Sequence, residues 1–133
     1  MSYSKYSINL QKTMRDVILK MNINKKQFLL VLDKNKRVIA SITDGDIRRS
    51  LVKKGNIDVS IKEFANFNPI KILKEDKDEI LRLMNKYKIN QLPLIENNGK
   101  LKKIFFRDEI QANSTVKNFI PVVIMAGGKG VRL

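Results

Sequence analysis

Residues 41–51 read SITDGDIRRSL, which places a threonine hydroxyl, two carboxylates, a glycine and two guanidinium groups between Thr43 and Arg49. Apolar residues precede Thr43 and a helical pattern follows it, so these groups fall where a strand runs into a helix. Carboxylates accept from hydroxyls, and Arg48 and Arg49 could meet a phosphate. The unpaired N–H groups of the helix start favour an anion in the same place. The spacing also has a purely local meaning, since Thr43-x-x-Asp46 fits a capping box in which the two residues satisfy each other's backbone donors. On these residues alone both readings stay open. Asp44-Gly45-Asp46 also fits the short D-x-D of metal-dependent glycosyltransferases, but no second carboxylate cluster accompanies it, and no metal site is expected.

The remaining composition removes other chemistries. The 133 residues include no cysteine and no histidine, so disulfides, thiolate nucleophiles and imidazole bases are excluded. A net charge of +14, from 27 basic and 13 acidic residues, points to anionic partners. The lysines are scattered, however, and aromatics do not alternate with them as on a single-strand stacking platform. The total charge is therefore read as solubilising surface, with a nucleic-acid-binding module as the runner-up. The start, MSYSKYSINL, lacks the apolar core of a signal peptide, and no apolar run approaches membrane-spanning length. A cytoplasmic location without a membrane partner is the expectation.

The groups around Asp46 sit in a duplicated framework. An offset of 63 residues aligns Leu10 to Ile47 with Leu73 to Ile110 without a gap, matching Met21 with Met84, Leu29 with Leu92 and Ile47 with Ile110. Each half predicts an extended piece (Ile8–Leu10; Ile70–Leu73) and then a helix. The first helix carries Met14, Val17, Ile18 and Met21 on one stripe, opened by Thr13 and Asp16. The second, from about Asp76, buries Ile80, Leu81, Met84 and Tyr87. Two apolar strands follow in each half, FLLVLD and RVIASI, then QLPLIE and LKKIFF, joined by turn residues. A closing helix runs from Asp44 towards Lys54, with Gly55 as its stop, and another starts at Asp108. The fold class is therefore α/β (α+β): tandem β-α-β-β-α units of about sixty residues. Neither has enough apolar surface to stand alone, so they pack strand face to strand face about a pseudo-twofold axis.

This arrangement resembles the CBS domain pair, also called a Bateman module, across residues 5–112. The paired strands and the string TDGDIRR carry the resemblance, and the string is similar to the variant in CBS pairs attached to sugar-phosphate isomerases and nucleotidyltransferases. Residues 5–60 are then the first repeat and 61–112 the second. The resemblance implies a regulatory adenine nucleotide (AMP, ADP or ATP) in the cleft between the units. Asp46 and Thr43 would hold its ribose, with Asp44, Arg48 and Arg49 beside its phosphate end. By position, Ile8 and Leu10, with Phe28 or Leu29, would surround the base. Phe106 and Glu109 stand where Thr43 and Asp46 have their equivalents, so one working site per chain is expected. A disc-like homodimer is also implied, and a purely structural dimerisation unit is a third reading.

The last residues, PVVIMAGGKGVRL, break the repeat. An apolar run opening into Gly127, Gly128, Lys129 and Gly130, followed by Arg132, suits a backbone approaching phosphates. It resembles the opening of a sugar-phosphate nucleotidyltransferase, with Val131 where Thr or Ser is usual. Residues 113–120 would be a linker and 121–133 the truncated start of that enzyme. No catalytic residue is expected in this stretch, and the chain is expected to be non-catalytic by itself.

Overall fold

The computed structural model describes residues 3–110. The expected linker 113–120 and the glycine-rich residues Gly127, Gly128, Lys129, Gly130 and Arg132 lie outside the described residues. In the first unit a 3-10 turn (Ser4–Tyr6) leads into β1 (Ser7–Ile8), α1 (Met14–Asn24), β2 (Phe28–Leu32), β3 (Val38–Thr43) and α2 (Asp44–Lys54). β1 runs parallel to β2, and β2 antiparallel to β3. The second unit has α3 (Lys77–Tyr87), β4 (Gln91–Ile95) and β5 (Leu101–Phe106), with helix resuming at 107–110. Its first strand shrinks to a single parallel bridge between Ile72 and Leu94. The architecture is mixed α+β, with the β-α-β-β-α order in both units.

Local chemistry sets these boundaries. Thr13 and Asp16 form a capping box at the start of α1, and Met14, Val17 and Met21 are buried along its inner stripe. α2 ends where predicted, at Gly55, whose φ of 65° is strained for any residue with a Cβ. Asp76 caps α3 by accepting from the Asp78 and Glu79 N–H groups. Tyr87, expected in the apolar stripe of α3, is instead 45% exposed. The helix stops there, Lys88 turns into the left-handed region, and Ile89 packs on the core in its place.

The repeat is not gapless at its beginning. β1 pairs Ile8 with Val31, while the equivalent bridge joins Ile72 to Leu94. Ile8 and Ile72 thus differ by one more than the offset relating Val31 to Leu94. The first unit has an extra residue between strand and helix, so Leu10 packs on the first core while Leu73 is exposed.

Arg37 and Lys100, mates under the offset of 63, form an isolated antiparallel bridge. A residue paired antiparallel with its own mate marks a local twofold axis. Around it, Phe28, Leu30 and Val38 of the first unit pack with Ile95, Ile104 and Phe106 of the second. The segments leading into the units cross over. Tyr6 lies against Phe106 of the second unit, with ring centroids 5.0 Å apart. Ile61, Phe64 and Ala65 join the first core, and Asn66 bridges to Ser41. Among the described residues, no helix is long and apolar enough to cross a membrane.

Candidate functional site

A cleft of about 200 Å³ opens beside the axis. Phe28, Thr43, Asp46 and Arg49 wall it from the first unit, Ile89, Gln91 and Pro93 from the second, and Asn66, Pro69 and Ile70 from the connection. Strand register builds the first wall: Phe28 pairs with Thr43, the last residue of β3, and α2 begins at the next residue. The α2 N-terminus therefore lies beside the cleft, with Thr43 and Asp46 in its wall, and an anion is favoured at such an end.

Asp46 has two differently used oxygens. Oδ2 accepts from the Thr43 N–H at 2.9 Å and from the Thr43 hydroxyl at 3.2 Å. Thr43 Oγ1 in turn accepts from the Asp46 N–H at 3.5 Å, completing the capping box. Oδ1 accepts only from Arg49, at 2.6 Å. The local reading of Thr43-x-x-Asp46 is thus realised, and it consumes only one of the two carboxylate oxygens. Gly45 lies against this pair, and a Cβ there would come 3.3 Å from Arg49 Nη1.

Of the nine residues the resemblance put around the ligand, Phe28, Thr43, Asp46 and Arg49 meet in the cleft, and five do not. Strand alternation explains two. Phe28 and Leu30 face the second unit, while Leu29 and Val31 face the first core, and Ile8 pairs with Val31 and shares its side. Leu29 is fully buried there, and Leu10 packs against the same core. Asp44 and Arg48 project around the helix to a separate groove beside Ile18 and Met21, where Arg48 Nη1 donates to Asp44 Oδ2 at 2.7 Å. Sequence reasoning missed the opposite wall of Ile89, Gln91 and Pro93. The signal was available: the offset makes Gln91 the mate of Phe28, and a twofold axis sets those strand starts on either side of it.

At the axis-related position a groove of about 250 Å³ is lined by Lys26, Asn90, Gln91, Phe106, Arg107 and Asp108, without a threonine and aspartate at the places of Thr43 and Asp46. Phe106, at the place equivalent to Thr43, is buried against Tyr6 and beneath the Lys26 ammonium, 4.7 Å from its ring centroid. Lys26 also bridges to Asp108 at 3.0 Å, and this hydrogen bond is the main reason the Asp108 carboxyl sits below the ordinary carboxylate range. Glu109 is exposed. Among the described residues, no group of three or more carboxylates is placed to hold a metal ion.

No family model matches the chain. The inosine-5'-monophosphate dehydrogenase of Nitrosopumilus maritimus is 25% identical over 113 residues, 85% of this chain and 23% of that protein. An uncharacterised protein of Helicobacter pylori is 25% identical over 89 residues, 65% of this chain and 27% of that one. The chain therefore spans about a quarter of the length of these curated relatives. Among solved structures, a protein with CBS domains from Burkholderia ambifaria superposes with a TM-score of 0.75 at 18% identity, covering 89% of this chain and 88% of that one. The CBS domain pair of protein MJ0100, in complex with 5-methylthioadenosine and S-adenosyl-L-methionine, gives 0.72 at 19% identity, covering 84% and 90%. CBSX2 in complex with AMP gives 0.70 at 20% identity, covering 84% and 89%. With two units about one axis and these neighbours, the chain has the fold of a CBS domain pair.

Proposed function

We propose that this module is a regulatory sensor that binds one adenine nucleotide per chain, AMP, ADP or ATP, in the cleft at Thr43 and Asp46. The observation that carries the reading is the divided carboxylate: Asp46 is oriented by its cap through one oxygen, while the other, held only by the exposed Arg49, lies at an open cleft beside a helix N-terminus. Such an oxygen can accept from ribose hydroxyls without the helix losing its cap. The volume of about 200 Å³ falls below the roughly 300–1,000 Å³ of typical ligand pockets. A nucleotide would therefore leave its phosphates at the mouth, near Arg49. Neighbours of the same fold that hold AMP or adenosine derivatives support this choice of ligand.

Because both units wall the cleft, an occupant favours one of their relative orientations, which is the way a bound ligand becomes a signal. The tail motif supports a sugar-phosphate nucleotidyltransferase as the fused, regulated domain, with residues 113–120 as the link and a cytoplasmic homodimer as the assembly. The module itself carries no catalysis. Isothermal titration with AMP, ADP and ATP tests the proposal. One site per chain is expected for at least one of the three. Two equivalent sites, or no heat and no thermal shift with any of them, would refute it.

A further inference from the structure

Arg49 occupies the carboxylate oxygen that a ribose would need. Its Nη2 lies 2.6 Å from Asp46 Oδ1, and the Arg49 side chain is 74% exposed while that of Asp46 is 13% exposed. The carboxylate is fixed by Thr43, so the guanidinium is the partner free to leave. Arg49 is also the one cation, and Asp46 the one anion, among the described residues lining this cleft. Resting on the nucleotide reading above, we infer that Arg49 is a latch through which the cleft selects phosphorylated nucleosides over uncharged ones.

A nucleoside without phosphate must part Arg49 from Asp46 and leaves the guanidinium with water alone. A nucleoside phosphate takes Asp46 for its hydroxyls and offers Arg49 a more highly charged partner in exchange. The ion pair therefore opposes the first ligand and is replaced by the second. Arg49 acts as a specificity determinant whose removal moves two affinities in opposite directions. A residue that merely shaped the helix would move both the same way.

The test is calorimetric titration of adenosine and AMP into wild type, Arg49→Met and the control Arg82→Met. The control breaks a similar i,i+3 ion pair, to Glu79 on α3, which does not line the cleft. In Arg49→Met, adenosine should bind about 2- to 5-fold tighter, because an exposed ion pair no longer opposes it. AMP should bind about 10-fold weaker or worse, having lost a charge-assisted contact. The control should leave the ratio of the two affinities at the wild-type value. Equal changes for both ligands in Arg49→Met, or no change, would overturn the latch while leaving the nucleotide site standing. Folded wild type that binds none of adenosine, AMP, ADP and ATP would overturn both.

Discussion

Asp46 has been given two tasks, helix cap and ribose acceptor, and a matched pair of substitutions separates them. Asp16 on α1 makes the same capping box, with Oδ2 accepting from the Thr13 N–H at 3.0 Å and the Thr13 hydroxyl at 3.1 Å. It does not line the cleft. Losing such a cap costs about 0.5–2 kcal/mol. At about 4 °C per kcal/mol, either Asp16→Ala or Asp46→Ala should lower the melting temperature of the free chain by about 2–8 °C. Ligand response should divide them. AMP at about 100 times its Kd stabilises wild type by about 2.7 kcal/mol, or about 11 °C. Losing carboxylate hydrogen bonds to the ribose, each about 1.5–3 kcal/mol and partly offset by the freed Arg49 pair, should weaken binding at least ~30-fold. At the same AMP concentration the stabilisation then drops to about 0.9 kcal/mol, or about 3–4 °C. Asp16→Ala should keep the full shift. The assay is thermal denaturation of the three chains with and without AMP. If both variants melt early and both retain the full AMP shift, Asp46 is only a cap.

Leu29→Ala should cost about 2–5 kcal/mol in urea denaturation, because the side chain is fully buried in the first core, yet leave the AMP Kd of the folded fraction unchanged. A Kd that rises severalfold would return Leu29 to the binding wall. Phe106→Ala should cost about 3–5 kcal/mol, since Tyr6 and Lys26 both pack on its ring; denaturation close to wild type would deny that this ring holds the units together. Acid should destabilise the chain. Asp16 and Asp33 are held below their ordinary range chiefly by backbone N–H groups, and Glu63, Glu79 and Asp108 by hydrogen bonds from Lys54, Arg82 and Lys26. The unfolded chain thus takes up protons first. Stability from these groups is full above about pH 5 and declines as pH falls through about 4 and below. A melting temperature flat from pH 6 to pH 3 would contradict it.

Helices were the most legible elements, because their signals are local. Thr13 with Asp16, Thr43 with Asp46, and Gly55 mark their ends in a few consecutive residues. Strand hairpins were legible from apolar runs and turns, and the tandem units from the offset. What escaped was side-chain direction. A run such as FLLVL is buried on both faces, so composition cannot say that Phe28 faces the cleft and Leu29 the core. Asp44 and Arg48 were drawn in by proximity along the chain, although a helix turns its successive side chains through about 100° and carries them to another groove. The one-residue slip before α1 was hidden because Leu10 and Leu73 match in type while only one is packed.

Duplication alone would leave two equal clefts, and the reason their linings differ lies in how bulk is distributed about the axis. On the outward strands, β3 brings Ser41 and Thr43 to the axis where β5 brings Ile104 and Phe106. On the inward strands the inequality reverses: β2 brings Phe28 and Leu30, while β4 brings Gln91 and Pro93. Leu30, Ile104 and Phe106 therefore meet in one close-packed cluster, with Phe28 at its border with the cleft. Ser41, Thr43 and Gln91 meet on the opposite side, where they line the cleft together with Phe28 and Ile89. The aromatic cluster thus holds the contact between units and leaves a groove on each side, one walled by Thr43 and Asp46 and the other by Phe106 and Asp108. Phe106→Thr should then lower stability by removing the ring from the cluster without creating a second ribose site, because Glu109 carries its carboxylate one methylene further out than Asp46.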